Sequence, residues 1–424
     1  MPEAIRQVGD NRPFGGNRKA LPGPQPAYKQ PAMRSITMRP EAHKRFTTGH
    51  PWVYSNEIVM DAAAKAIEPG SVVRLLRADG SALALALFNP HTLIAARRLT
   101  DDHAAKIDTE FFAARLARAL KLRERLFGEP FYRLIHAEAD AMPGMVVDRY
   151  GDLAVVQINT AGMERLLPEI LAALDQVLAP RQVLLRCESS ARSFEGLPLY
   201  VKMAKGELEG AIEVRENGLR FLCDPREGQK TGWFYDQREN RAAVAKLASG
   251  ARLLDLYSYG GGFALAAAAA GARAILAIDR SEAALGLAQQ SATLNGLAER
   301  CSFRRAEVFE ELKRLAKAGE RFDIVVADPP AFVKSRKDLG QGARAYRKLA
   351  RLSAALVKPG GFLFIASCSH NMPAEEFERQ VNRALVDLSR AGRILREAGA
   401  ASDHPLHPAL PESAYLKSLL LQLD

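Results

Sequence analysis

Long apolar runs are missing from this sequence. No stretch could span a bilayer without a charged or polar break, and the first residues lack the apolar core of a secretory signal. A membrane protein and an exported one are both disfavoured, and the cytoplasm is the expected compartment. Cysteine is scarce: four in 424 residues (Cys187, Cys223, Cys301 and Cys368), with no CxxC pairing. That argues against a disulfide framework and a zinc site, so no metal is expected and the thiols should be reduced. Acidic residues are also in deficit, 49 against 59 lysines and arginines, which leaves a net charge of +10. Such a charge suits a polyanionic partner but becomes informative only where it clusters. The rest is ordinary globular composition, 48% hydrophobic and 25% charged. The length is too great for one ordinary domain and fits two or three.

Residues 1–32 are rich in proline and glycine. Arg6, Arg12, Arg18, Lys19 and Lys29 outnumber Glu3 and Asp10, and the stretch reads as a disordered, mildly basic tail. From 33 to 104 short apolar runs (SITMRP, WVYSNEIV, SVVRLLRADGSALALALF, TLIAARRLT) alternate with turn signals and predict a small β-rich domain. FFAARLARALKLRERL (111–126) has helical periodicity and begins a central α+β domain, 105–223. From 224 to 424 strands and helices alternate, ending in a late strand pair, RILREAGA and YLKSLLLQLD. Alternation of this kind predicts an α/β domain: a mainly parallel sheet with helices on both faces and ligands at the carboxyl ends of its strands.

In DLYSYGGGFAL (255–265) a strand runs into three glycines and a helix. Glycines let a ligand approach the backbone, and a helix N-terminus favours negative groups. Asp279 ends the next strand, 24 residues after Asp255, where a ribose-binding carboxylate belongs. A bare glycine turn with a solvated acid is the bland reading. The acid in register favours a nucleotide-like ligand. The glycines are adjacent and do not form GxGxxG, which lowers the dinucleotide reading. The pattern resembles that of class I S-adenosylmethionine (SAM) enzymes, in which Asp255 and the glycines would face the amino-acid part of SAM and Asp279 the ribose.

VVADPPAF (325–332) places Asp328, Pro329 and Pro330 after a strand. Two prolines stiffen the loop and remove N–H donors, leaving carbonyls and a carboxylate suited to the donor edge of a nucleobase. A rigid turn capped by an acid is the alternative. On the fourth strand after the glycine loop, the motif resembles the (D/N)PP of nucleic-acid methyltransferases. FIASCSHN (364–371) puts Cys368 at a strand end on the same rim. A free cysteine is usually a buried packing residue. At this rim it is a candidate nucleophile, able to add to carbon 6 of cytosine and so activate carbon 5, with Asp328 gripping the base near N3. Between 331 and 351, Lys334, Arg336, Lys337, Arg344, Arg347, Lys348 and Arg351 face one acid, Asp338. A phosphate-contacting flap is a better reading than a solvated helix face.

Taken together, GQKTGWFYDQRENR (228–241), DLYSYGGGF, DPPAF and SCS in this order resemble bacterial large-subunit ribosomal RNA cytosine-5 methyltransferases of the RlmI type. So do HPWVYSNEI (50–58), EPGSVVRL (68–75), EADAMPGMVVDRYGD (138–152) and PESAYLK (411–417). The likeness covers nearly all of 34–424. It implies an N-terminal PUA domain, a central domain and a C-terminal methyltransferase domain. It implies SAM as cofactor, contacted by Lys230, Thr231, Phe234, Asp236, Asp255, Tyr257, Gly260, Gly261, Asp279 and Asp328, and near Glu307, where the family more often has Asp. It implies Cys368 as the attacking thiol and an RNA face including Pro329, Pro330, Phe332, Lys334, Arg336 and Lys337. The expected partner is 23S ribosomal RNA in a single-stranded or unfolded region, with no membrane, and a homodimer is left open. Many RNA cytosine-5 methyltransferases carry a second cysteine after the prolines; here that position is Ala331. Two other readings compete. A guanine-nitrogen methyltransferase would need no thiol, so Cys368 counts against it. A non-catalytic RNA-binding or ribosome-assembly protein would have lost Asp255, the glycines, Asp328 or Cys368, and all are present.

Overall fold

The computed structural model describes residues 33–424; the expected tail, 1–32, lies outside them. The first sheet holds β1 (Ser35–Thr37), β2 (Trp52–Tyr54), β3 (Ser71–Leu76), β4 (Ala82–Phe88) and β5 (Ile94–Thr100), in the order β1-β3-β4-β5-β2. Its core is Ile36, Val53, Val73, Leu75, Ala86 and Phe88. WVYSNEIV does not stay extended throughout. The carboxylate of Glu57 accepts the Tyr54 N–H at 2.6 Å and pairs with Arg45, which curls Ser55–Glu57 into a 3₁₀ turn.

The second sheet comprises β6 (Phe131–His136), β7 (Met145–Tyr150), β8 (Leu153–Ile158), β9 (Gln182–Cys187) and β10 (Tyr200–Lys205), ordered β10-β9-β8-β7-β6. Helices Thr109–Leu126 and Leu167–Leu178 pack on each other beside it. A hairpin follows, β11 (Ile212–Glu216) and β12 (Leu219–Cys223). It turns at Asn217–Gly218, both at positive φ, as a two-residue type I′ loop requires. It also rests on helix Glu282–Leu294: the Leu222 N–H donates to Ser291 Oγ at 2.8 Å.

The third sheet has seven strands: β13 (Arg252–Leu256), β14 (Ala274–Asp279), β15 (Cys301–Arg305), β16 (Phe322–Ala327), β17 (Val357–Ser367), β18 (Gly392–Ala398) and β19 (Lys417–Leu423). Their order is β15-β14-β13-β16-β17-β19-β18, and β19 runs antiparallel to both its neighbours. The central strands are buried on both faces, so they read as unbroken apolar runs. In β16, Val325 and Ala327 join the core under helices Val308–Lys317, Leu339–Leu356 and Ala374–Val386, while Ile324 and Val326 join the opposite core with Phe263 and Val244. Strand order reverses between β13 and β16. The crevice therefore opens at Asp255 and Asp328, where β13 and β16 end.

The segment 138–148 ties the three sheets together. Glu138 accepts the indole N–H of Trp52 at 2.8 Å and a bond from Arg97. Asp140 takes both guanidinium arms of Arg123 at 2.7 Å each. Asp148, fully buried, takes both arms of Arg133 at 2.8 Å and the hydroxyl of Thr231. The Arg133 backbone N–H donates to Asp403 at 2.9 Å. Removing one partner of a buried pair strands the other charge. Asp148→Ala is therefore expected to cost about 3–5 kcal/mol in urea unfolding. Hydrogen exchange in 228–241 should quicken in the same variant; unchanged exchange there would mean that Asp148 does not hold that segment.

Candidate active site

After β13 the chain turns through Tyr257 (φ 61°), Tyr259 (φ 48°) and Gly261 (φ 78°) before helix Gly262–Ala269 begins. Asp255 accepts the Ala264 N–H from the first turn of that helix at 3.0 Å. Asp279 holds the loop from the next strand, accepting the Tyr259 N–H at 3.0 Å and the Ser281 N–H at 2.8 Å. The two acids thus frame the loop. A Cβ on Gly260 would lie 3.2 Å from the Trp233 ring, and one on Gly262 would lie 2.8 Å from Arg241 Cδ, so these glycines make room for the segment 228–241.

That segment is fixed by buried charge. Arg241 donates twice to Glu216, which also accepts the Trp233 indole N–H at 3.0 Å. Thr231 is fully buried, bonded to Asp148 and Tyr150. Its side chain anchors the segment to the central sheet. Lys230 and Phe234 do face inward: Lys230 Nζ pairs with Asp236 Oδ2 and lies 4.3 Å over the Phe234 ring, which meets Tyr259 edge-on. Glu307 is exposed at the rim. It caps helix Val308–Lys317 by accepting the Phe309 N–H at 2.9 Å, and its charge reaches the half-buried Tyr257.

The crevice is short of positive charge. Burial pushes the Asp255 carboxyl up to about 8, with Asp328 and Asp279 adding to the rise. Burial, then Asp236, lifts Asp328 to about 6. At Asp236 burial works the same way but loses to Lys230 and His404, which hold the carboxyl well below its usual range. Asp236 Oδ1 and Ser258 Oγ are buried with no hydrogen-bond partner among the described residues. Clustered acids and unsatisfied polar atoms fit a ligand carrying ammonium and sulfonium charges, as SAM does. Asp255, Ser258, Asp279, Asp236 and Phe234 could hold it.

Cys368 lies just beyond β17, half-buried, its Sγ 3.8 Å from the Pro329 carbonyl oxygen. The flanking serines lock the loop. Ser369 Oγ accepts the Val333 N–H at 3.1 Å and bonds the Tyr346 hydroxyl at 2.9 Å, and Ser367 Oγ accepts the Ser369 N–H at 3.3 Å. Burial pushes the thiol up to about 11, with Asp328 adding to the rise and Lys230 opposing it. Of three further neighbours, sequence reasoning places His370 at the rim without a partner and misses Tyr415 and Lys417. The Tyr415 hydroxyl donates to Asp236 Oδ2, the His370 ring stacks on Tyr415 at 5.3 Å, and Lys417 Nζ donates to the Ser369 carbonyl at 2.7 Å. PESAYLK had been noticed, but its reach to the site depends on where β19 enters the sheet.

The basic stretch is a short loop and 3₁₀ turn followed by the helix Leu339–Leu356. Lys334, Arg336, Lys337, Arg344, Lys348 and Arg351 are exposed. Two residues of this stretch have partners within the chain. Arg347 is spent on a two-armed pair with Asp387, and the Phe332 ring packs against Tyr346 (4.8 Å) and Phe309 (6.2 Å). Pro329 is buried and Pro330 exposed.

Comparison with known proteins fits this geometry. A family described as S-adenosylmethionine-dependent methyltransferase matches residues 200–421, and one described as a PUA-like domain matches 36–101. A protein named ribosomal RNA large subunit methyltransferase I from Shewanella amazonensis is 35% identical over 393 residues, 92% of this chain and 99% of that protein. One of the same name from Aeromonas salmonicida is 37% identical over 378 residues, 88% and 95% of the two chains. In fold, a SAM-dependent methyltransferase from Streptococcus mutans superposes with a TM-score of 0.78 at 21% identity, covering 92% of this chain and 100% of its own. A methyltransferase crystallised with S-adenosylhomocysteine does so with a TM-score of 0.79, at the same identity and coverage.

SAM is the cofactor, and the acidity of Asp255 makes its binding pH-dependent. The ligand-free carboxyl keeps its proton below about 8, whereas an adjacent ammonium favours the carboxylate. Binding at pH 7 should therefore release a proton. Affinity should rise with pH, up to about tenfold per unit, and level off above pH 8. Titration calorimetry in two buffers of different ionisation enthalpy checks this; equal heats would place the ammonium elsewhere.

Proposed function

This chain belongs to the ribosomal RNA large subunit methyltransferase I family, and on that footing we propose that it methylates carbon 5 of a cytosine in 23S ribosomal RNA through a covalent bond between Cys368 and the base. SAM, when bound, supplies the methyl group on a positively charged sulfur. The observation that carries the cytosine reading is the position of Cys368 Sγ, 3.8 Å from the carbonyl of Pro329, beside Asp328. Cytosine carbon 5 is a weak nucleophile. Addition of Sγ to carbon 6 makes it enamine-like, which splits one hard step into two. Asp328, lifted to about 6, holds a proton part of the time near neutrality and can share it with N3 of the ring. The Pro329 carbonyl suits the exocyclic amine. Methylation of a guanine nitrogen would use none of this, because nitrogen brings its own lone pair.

RNA enters across the exposed cations of the loop and helix beyond DPPAF, with the PUA-like domain gripping elsewhere. A single-stranded or opened region fits best, since the target base must reach a recessed thiol. Backbone contacts of this kind weaken with salt, by roughly 0.7 in log–log slope per phosphate neutralised on a single strand. Changing Lys334, Arg336 and Lys337 together to Ala should lower the slope by up to about 2, read by fluorescence anisotropy across a salt series. An unchanged slope would remove these residues from the RNA face.

Cys368→Ser should abolish turnover while leaving SAM affinity near that of the parent, because a serine hydroxyl is far less ionised than a thiol. RNA carrying 5-fluorocytidine at the target should form a covalent adduct with the parent enzyme and none with the variant, since fluorine blocks loss of the carbon-5 substituent. A serine variant that keeps most of its activity would make Cys368 a packing residue.

A further inference from the structure

Two lysines approach Cys368, and they are bonded in different ways. Lys230 is paired with the carboxylate of Asp236. Lys417 opens β19 directly across from Ser367 of β17, one residue before the thiol. Its half-buried Nζ donates to the Ser369 carbonyl at 2.7 Å, and no carboxylate among the described residues bonds it. Glu378 and Glu397 line a cavity with Lys417 and His370 but make no bond to Nζ. An ammonium withdrawn from water and given no counter-ion loses its proton readily. Here burial pulls Lys417 down to about 8, and the charge of Cys368 is the opposing influence.

We infer that Lys417 accepts the proton of the Cys368 thiol as sulfur adds to the pyrimidine ring. The inference rests on the covalent reading above. Neutral Nζ takes the thiol proton while the Sγ–C6 bond forms, and the C5=C6 electron pair shifts toward carbon 5. After methylation, water removes the carbon-5 proton, the C6–Sγ bond breaks with its electrons returning to sulfur, and the Lys417 ammonium gives the proton back. Asp328 and Asp236 make such an acceptor necessary, because both oppose a thiolate and burial already holds the thiol near 11. Lys230 offsets them in part, and its Nζ is already bonded to Asp236. The other titratable neighbours are engaged: Tyr415 with Asp236, Tyr346 with Ser369, and His370 in its stack on Tyr415. His370 is itself held low by burial and by Lys417.

The test uses the full chain without SAM or RNA. Cys368 is alkylated with iodoacetamide over a pH series, and the rate at that cysteine is followed by peptide mass spectrometry. The parent should accelerate in two steps, the first near pH 8, because thiol and amine titrate as a pair. Lys417→Met should lose the first step and alkylate about tenfold more slowly at pH 8 or worse. Lys417→Arg keeps a charged donor that cannot titrate, so it guards against a folding defect in the Met variant; it should also lack the step near pH 8. A first step that survives in both variants overturns the assignment, as does one lost in His370→Ala and kept in Lys417→Met. Absence of the 5-fluorocytidine adduct in the parent would instead overturn the covalent reading, and the alkylation profile would still decide what Lys417 does to the thiol.

Discussion

Arg133 and Asp148 face each other as cross-strand partners of β6 and β7, doubly bonded and nearly closed to water. Burial alone would weaken the guanidinium's hold on its proton; the carboxylate of Asp148 outweighs it. An isolated pair of this sort adds little stability over apolar packing. What it adds here is register. Asp148 holds Thr231, and with it the segment that carries Lys230, Phe234 and Asp236. The Arg133 backbone holds Asp403, in the loop between β18 and β19. One ion pair in the central sheet thus fixes two stretches that meet at the crevice of another sheet, where Tyr415 and Asp236 share a hydrogen bond.

The crevice itself is governed by a charge imbalance. Asp255 and Asp328 are carboxyls that hold protons more tightly than usual, while Asp236 keeps its charge because Lys230 and His404 outweigh its burial. The same acids that welcome a sulfonium cofactor make a thiolate costly. Lys230, from 228–241, opposes that cost at Cys368, and Lys417, from β19, bonds the neighbouring Ser369 carbonyl.

The fold was largely legible because its signals are local. Double-sided apolar runs mark β13, β16 and β17, and an acid at a strand end followed by glycines, or by two prolines, marks Asp255, Asp279 and Asp328. Cys368 could be placed by the same means. The bonds that Thr231 and Arg347 make within the chain could not be read, because their partners are distant in sequence: Asp148 is 83 residues from Thr231, and Asp387 is 40 from Arg347. Lys417 and Tyr415 were missed for a related reason. Nothing in YLKSLLLQLD states that this strand slips between β17 and β18 instead of lying outside them. Strand order is set by how the sheet closes, and periodicity carries no trace of it.

That insertion has a consequence for the nascent chain. β19 is the last strand of its sheet to be synthesised, yet it occupies an interior position with apolar Leu419, Leu420 and Leu421. Until it arrives, β17 presents an unpaired edge carrying Phe362, Phe364 and Ile365, the kind of edge that recruits foreign strands. Until β19 pairs, that edge is where the sheet is most open to misassociation. The strand that seals this edge also carries Lys417 to the Ser369 carbonyl beside Cys368, so the sheet and the rim of the crevice are completed together.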